Sequence, residues 1–470
     1  MPHAAAGLAE LNQSLARENQ ALRVEALRLR KQVKLLRGGD GPPATPSDGM
    51  QLLFSLVLAV EEFTDYAQLR MCARVSRAVR EHVERRLESL QGLIMCTKFV
   101  ERSDVLRALM RLPADLQSLD FSRTLLLNSP ERAKMFASMI IDAGLTRLTS
   151  LALSDVDLDY RSFGAFGLVL ERNTSLERLV LSENRLLCGR NFEKTFCVEV
   201  PFLTRLQVLD VSYTAVSPSA ICILLARTTV LTTLRMRGLL GDGVKKLRQL
   251  NATRRFFFKV LKQQTSLKSL DMSGGAWHKY ADLTDELLSM LNTTTGMRSL
   301  VFSIPHLNPS NFCMNMHGCL LKMRNLELLD LTLIPDDGWN ILDVFGSCLE
   351  WPCLKVLRLQ ALSNVHDITC RSLVCMSGLP VLQNLSLVSS PGSSSSFSRF
   401  GIMRLCEALG QWTSLEELTL GSLVLPLTGE VDLCKALAAL PRLRRLRARV
   451  SGEHSGVLRK VLEPRVTVTF

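Results

Sequence analysis

Charged side chains return along this chain at one place in a short recurring pattern. That place is held in turn by Asp120, Ala152, Val180, Asp210, Arg235, Asp271, Val301, Asp330, Arg358, Ser386, Thr419 and Arg447. Around the last of them Arg442, Arg444, Arg445, Arg447 and Arg449 crowd into eight residues. The chemistry open to such residues is recognition, not bond-making. A carboxylate accepts N–H groups, and an arginine fork grips an oxyanion through two parallel hydrogen bonds. The arginine cluster therefore suits an acidic or phosphorylated peptide. The preferred reading is a solvated charged end that keeps the protein soluble.

Side chains for catalysis are not grouped in the same way. The glycines of Gly238-Leu-Leu-Gly-Asp-Gly243 lack the spacing of a phosphate loop. His278, His306, His317 and His366 have no nucleophile or metal partner nearby in sequence. The 13 cysteines are scattered: Cys370/Cys375 and Cys313/Cys319 have no companion pair at zinc-finger spacing. No catalytic, cofactor or metal residues are assigned, and the chain is expected not to be an enzyme.

The net charge of +12 raises the question of nucleic acid. A basic stretch over residues 245–262 carries Lys245, Lys246, Arg248, Arg254, Arg255, Lys259 and Lys262, with Phe256, Phe257 and Phe258 among them. Cations interleaved with aromatics suit single-stranded nucleic acid. The preferred reading packs the phenylalanines inward from a helix while the cations face water, so nucleic acid ranks third among the expected partners.

The elements that must position the charged row are legible. From residue 116 onward the pattern leucine-x-x-leucine-x-apolar recurs twelve times, from Leu116/Leu119/Phe121 to Leu443/Leu446/Ala448. Most central leucines are 28 to 30 residues apart, and the widest gap is the 36 from Leu234 to Leu270. Leucine-x-leucine alternates with period two, as in a strand with one buried face. Between copies lie helical stretches such as residues 133–140 and 404–409. One strand and one helix cannot hide their own leucines, but stacked units can. The residue between the last two apolar positions then points out of the sheet, which places Asp120, Asp210, Arg235, Asp271, Asp330, Arg358, Arg445, Arg447 and Arg449 as candidates for partner contact.

This period and pattern resemble the leucine-rich-repeat family, particularly its ribonuclease-inhibitor type. The resemblance implies an α/β solenoid over 104–470: a horseshoe of about twelve repeats, with a parallel concave sheet and convex helices. The asparagine that many such families place after the strand is present as Asn184 and mostly replaced elsewhere. Val466 to Phe470 is expected to add a last strand.

The first forty residues have a different period. Leu8, Leu15, Leu22, Leu29 and Leu36 recur every seven residues, with Asn12 and Asn19 among the facing positions. Glu18 and Glu25 stand where they meet Arg23 and Arg30 of a partner helix. This is a leucine zipper over 5–37, expected to make a parallel homodimer, and the two asparagines favour a two-stranded, in-register pair. A solitary helix packed on its own protein is the alternative. Only Met1 to Gly7 precede the leucines here, so a DNA-binding zipper of the basic kind is not the expected reading. A glycine- and proline-rich linker follows over 38–49.

Residues 50–103 read as short helices. Phe63, Leu69, Val75, Ser76 and Arg77 resemble an F-box, although Val79 stands where tryptophan is usual and the leading Leu-Pro is missing. The resemblance implies that Leu53, Leu56, Val57, Phe63, Leu69 and Val75 supply apolar surface for an adaptor. The chain would then be the substrate-recognition subunit of a cullin-based ubiquitin ligase. The other reading makes the segment a cap over the first repeat.

A hydrophobic fraction of 47% and a charged fraction of 22% describe a packed protein. No run approaches a membrane span or a signal peptide, so the cytoplasm is the expected compartment and the nucleus the alternative. Asn173-Thr174-Ser175 and Asn292-Thr293-Thr294 match the glycosylation pattern, a match of little weight without secretion. The cysteines are expected to be small, buried and reduced. The leading expectation is a scaffold that binds a protein on its concave face.

Overall fold

A computed structural model describes residues 92–94, 114–123, 129–187, 196, 198, 203–216, 218–238, 256–274, 284–303, 318–332, 351–362, 379–389, 395–396, 399–424, 430–450, 462 and 466–469. The chain divides into two units, Met1–Phe63 and Thr64–Phe470. The first unit lies outside the described residues, and so do the zipper residues Leu8 to Leu36 with Asn12 and Asn19, the linker, and Leu53, Leu56, Val57, Phe63, Leu69 and Val75.

The second unit is an α/β leucine-rich-repeat solenoid built on one open parallel sheet, with 15 strands among the described residues. The strands are β1 (Gly92–Ile94), β2 (Ser118–Asp120), β3 (Ser150–Ala152), β4 (Arg178–Val180), β5 (Val208–Asp210), β6 (Thr233–Arg235), β7 (Ser269–Met272) and β8 (Ser299–Ser303). They continue as β9 (Leu328–Thr332), β10 (Val356–Leu362), β11 (Asn384–Ser389), β12 (Ser395–Ser396), β13 (Glu417–Val424), β14 (Arg445–Val450) and β15 (Thr467–Thr469). Spatial order follows chain order, except that β12 lies off the path and pairs with β13.

Register is set by the central leucines. Leu119 pairs with Leu151, which pairs with Leu179, and the ladder runs on to Leu418 and Leu446. Each of these residues is at most 1% exposed from Leu119 to Leu446. Removing one leucine side chain from water is favourable by about 1.5–3 kcal/mol. A slip of one residue would turn the whole row outward, so burial alone enforces the register. The backbone repeats the same message: the Gln117 carbonyl accepts the N–H groups of Thr149 and Ser150 at 2.7 and 3.0 Å, and the forked bond recurs at every later step to Glu416.

Helices back the strands. In α1 (Pro130–Asp142) the apolar residues Ala133, Phe136, Ala137 and Ile140 fall on one buried face. Ser129 caps its first turn by accepting the Arg132 N–H at 3.3 Å, and Pro130 opens it. Gly144, at φ 71°, follows its end. The other described helices are α2 (Tyr160–Ala165), α3 (Gly167–Arg172), α4 (Pro218–Leu225), α5 (Thr284–Thr293), α6 (Arg399–Gln411) and α7 (Glu430–Ala439). Helices need about 8–10 Å between axes while strands need only about 4.8 Å, so a stack of such units bends toward its strands.

Two ladders of polar side chains tie one repeat to the next. Asn173, 1% exposed, accepts the Leu148 N–H at 2.8 Å and donates to the carbonyls of Leu145 and Val169. Gln264 and Trp351 stand in the same place and donate to Leu225 and Leu320. Asn184 is fully buried: it accepts the N–H groups of Val156 and Leu158 and donates to the Leu153 carbonyl. These bonds satisfy loop backbone groups that burial would otherwise strand.

The solenoid begins earlier than residue 104. β1 pairs in register with β2 through Leu93 and Leu119. Leu90-x-x-Leu93-x-Met95 carries the repeat pattern with one methionine at the last apolar position, so residues 92–94 belong to the sheet. At the other end β15 pairs with β14, so the expected last strand is present.

Candidate partner-binding face

The charged row lies on one face of the sheet, as its period requires. Asp120, Ala152, Val180, Asp210, Arg235, Asp271, Val301, Asp330, Arg358, Ser386, Thr419 and Arg447 are aligned across successive strands. Arg445 sits two residues before Arg447 on the same face and forms an ion pair with Glu417. The side chain of Arg449 lies outside the described residues.

Asp210 and Asp271 are doubly committed, to a turn and to an arginine; Asp120 makes the first of these contacts and Asp330 the second. An oxygen of Asp120, of Asp210 and of Asp271 accepts the N–H two residues ahead, at 2.8, 3.0 and 3.0 Å. This local bond turns the chain out of the strand. Next come Ser122, Ser154, Ser182, Ser212 and Ser273, with Arg237 in the place of one serine. After each of these six stands a residue in the left-handed region: Arg123, Asp155, Glu183, Tyr213, Gly238 and Gly274, at φ 53° to 65°. Their N–H groups bond the next repeat: Glu183 reaches the Ser212 carbonyl at 2.8 Å, and Gly238 reaches that of Ser273 at 2.8 Å.

The second carboxylate oxygens meet arginines. Asp210 Oδ2 lies 3.9 Å from Arg235 Nη1, Asp271 Oδ2 lies 3.1 Å from Arg237 Nη2, and Asp330 Oδ2 lies 3.8 Å from Arg358 Nη1. The arginine side chains are 44–49% exposed and the aspartates only 11–13%, so cations cover anions. Arg237 is further fixed by its Nε–H bond to Ser273 Oγ at 3.0 Å. Partial burial pulls the Arg237 pKa down, but Asp271 and Tyr213 outweigh it and the net direction is up. Burial pushes the Asp330 carboxyl up, against the pull of Arg358 and of the Gln360 amide, which donates to it at 3.1 Å.

These groups line a shallow hollow of about 360 Å³ that reaches from Ser182 and Glu183 to Arg358. Asp210, Arg235, Asp271, Asp330 and Arg358 come together there, while Asp120, Arg445 and Arg447 lie on strands outside it. Arg237, Tyr213 and Glu183 also line it and were missed. Their signal was the column two or three residues beyond each charged position, where Arg237 interrupts a run of serines.

Other sequence expectations fall out differently. Within residues 256–262 Phe257 and Phe258 are buried, at 0% and 2%, but Phe256 is 54% exposed, which corrects the inward reading for that ring. A turn of helix spreads three consecutive residues over 200°, so one of three neighbours must leave the core. Lys259 and Lys262 are exposed. Cys222, Cys319 and Cys434 are buried, but Cys353 is exposed. Burial pushes the Cys222 thiol to about 12 and the Cys406 thiol to about 11. The four histidines singled out lie outside the described residues. Among the described residues no three His, Cys, Asp or Glu side chains form a metal-ligating group. No helix among them is long and apolar enough to cross a membrane.

No protein-family model and no curated protein matches this chain. Solved structures do resemble it. An internalin from Listeria monocytogenes aligns over 82% of this chain and 88% of its own, at 13% identity and a TM-score of 0.39. A structure of the Rad7 and Elc1 complex in yeast aligns over 96% and 97%, at 12% identity and a TM-score of 0.47. A complex of TLR13 with a single-stranded RNA aligns over 82% and 51%, at 17% identity and a TM-score of 0.39.

Proposed function

We propose that this chain is a protein-binding leucine-rich-repeat scaffold that takes up a protein partner on its sheet face and is paired through its N-terminal zipper. The observation that carries the reading is the hollow across β5 to β10, where charged groups from successive strands stand at fixed spacing. Donors and acceptors held on rigid strands recognise a macromolecule by pattern, and a polar opening of this shallowness gives a small molecule little enclosure. The test is affinity capture from cells with Ser269→Trp and Ser299→Trp, which fill the hollow from two adjacent strands. Partners retained by the native chain and by Lys259→Ala but lost from the tryptophan variants support the reading. An unchanged set of partners overturns it.

The zipper half has its own test. Light scattering of the full chain at micromolar concentration is expected to give near twice 52.4 kDa, and a monomer would remove the pairing. A second reading makes the chain a ubiquitin-ligase substrate receptor, supported by the F-box-like order of Phe63, Leu69, Val75, Ser76 and Arg77 ahead of the repeats. Recovery of a cullin adaptor, abolished by Leu56→Asp with Val75→Asp, would favour it.

A further inference from the structure

Three arginines of the charged row have loosely engaged guanidinium groups, two of them in long ion pairs with an aspartate of the preceding strand. Arg235 on β6, Arg358 on β10 and Arg447 on β14 occupy one register position. None of the three side chains makes a hydrogen bond among the described residues. The nearest carboxylate oxygens to Arg235 and Arg358 are 3.9 and 3.8 Å away, beyond hydrogen-bond length, and Arg447 has no ion pair among the described residues. Their forks are thus charged, exposed and largely unspent.

The row between them offers nothing that would repel an anion strongly. Asp271 is held by Arg237 and Ser273. Asp330 is 8% exposed and lies under Arg358. Val301, Ser386 and Thr419 complete the row with no charge. Glu417 on β13 is occupied by Arg445 and by the Asn384 amide at 2.7 Å. Glu327, just before β9, is half-exposed but engaged by Arg298 and Lys355, while Glu183 at the far rim of the hollow and Glu416 just before β13 are further exposed or half-exposed acids.

We propose that an extended, acidic segment of a partner protein lies across the strands along this row, its carboxylates meeting Arg235, Arg358 and Arg447. The spacing defines the segment. Four strand steps separate Arg235 from Arg358, and three separate Arg358 from Arg447. At about 4.8 Å per step these are roughly 19 and 14 Å. An extended chain advances about 3.3 Å per residue, so acidic residues roughly six and then roughly four positions apart would reach all three. Both spacings are even, which puts the three carboxylates on one face of the extended segment. This rests on the sheet face being the partner-binding surface, and it adds the chemistry and the direction of what binds there.

The experiment uses the full chain and fluorescein-labelled peptides read by anisotropy. The first is a 14-residue serine–threonine peptide with glutamate at positions 2, 8 and 12; the second has the three glutamates adjacent; the third is a 14-nucleotide single-stranded RNA. Tighter binding of the first than of the second is expected. Arg235→Ala, Arg358→Ala and Arg447→Ala should each weaken it by roughly tenfold, because each removes a charge-assisted contact. Lys259→Ala with Lys262→Ala, on the helical side, should leave it unchanged. Equal binding of both peptides, equal loss in the lysine variant, or displacement of the peptide by the RNA overturns the proposal. If the tryptophan variants still abolish capture of cellular partners in that event, the scaffold reading survives and only the acidic segment is lost.

Discussion

The Tyr213 ring occupies the space that a β-carbon on Gly238 would need: built there, that atom would lie 2.6 Å from Tyr213 Cδ1 and 2.9 Å from Cε1. Both residues have left-handed backbone, at φ 54° and 64°. They are successive members of the turn column at the rim of the hollow, and Tyr213 donates its N–H to the Arg237 carbonyl at 2.6 Å. The missing side chain of one repeat is therefore what seats the aromatic ring of the preceding one.

Gly238→Ala is expected to destabilise the second unit by about 2 kcal/mol, from a disfavoured φ and from displacing the ring. Thermal unfolding of the variant measures it. Adding Tyr213→Ala should recover part of the loss, because it removes the clash and leaves the backbone term. Full additivity of the two changes would show that the ring does not rest on the glycine.

Glu183 illustrates the opposite case. It holds φ 64°, and its carboxylate makes no ion pair among the described residues. Glu183→Gly should raise stability by about 0.5–1 kcal/mol by removing the left-handed penalty, despite the greater freedom of glycine in the unfolded chain. Urea unfolding decides the sign, and a loss of stability would mean that the side chain holds the turn.

Asp330 gives a pH dependence with a defined sign. Burial raises its pKa in the folded state above the ordinary 3.8, so the folded chain binds its proton more readily than the unfolded chain does. The contribution to stability is present below pH 3.8 and is lost as pH rises through the raised folded value. Asp330→Asn keeps an oxygen for Gln360 and removes the titration. As pH rises from 3.8 through the raised folded value, unfolding free energies of native and variant protein should diverge in favour of the variant, and parallel curves would contradict the assignment.

Asn173 and Asn292 match the same glycosylation pattern but have opposite environments. Asn173 is buried with its amide spent on three backbone groups, whereas Asn292 is exposed. Asn173→Ala should cost about 3 kcal/mol by stranding those groups, and Asn292→Ala should fall within about 0.5 kcal/mol of native. Calorimetry on the two variants tests the contrast.

Much of this architecture was legible because one physical rule generates it. A leucine that recurs every 28 to 30 residues with a period-two partner can be hidden only by an identical neighbour, so strand positions, register and the outward row followed from spacing alone. The rule also reached its edge. Leu93 belonged to the same ladder, but a single copy with methionine in place of leucine did not stand out from the helical pattern around it. The asparagines show the same division. Asn184 was recognisable after its strand, while Asn173, Gln264 and Trp351 perform one task with three chemistries that no motif unites.

The row of charges was determined by the sequence, since alternation decides which side chains leave the sheet. Which of those charges remain open to a partner was decided only by the tertiary structure. Asp210 and Asp271 spend an oxygen on turns two residues away, and Asp330 sinks below Arg358, while the forks of Arg235, Arg358 and Arg447 stay in water. Neighbouring strands come from residues some thirty positions apart, and a charge is cancelled by what lies about 5 Å across the sheet, a distance that spacing along the chain does not encode.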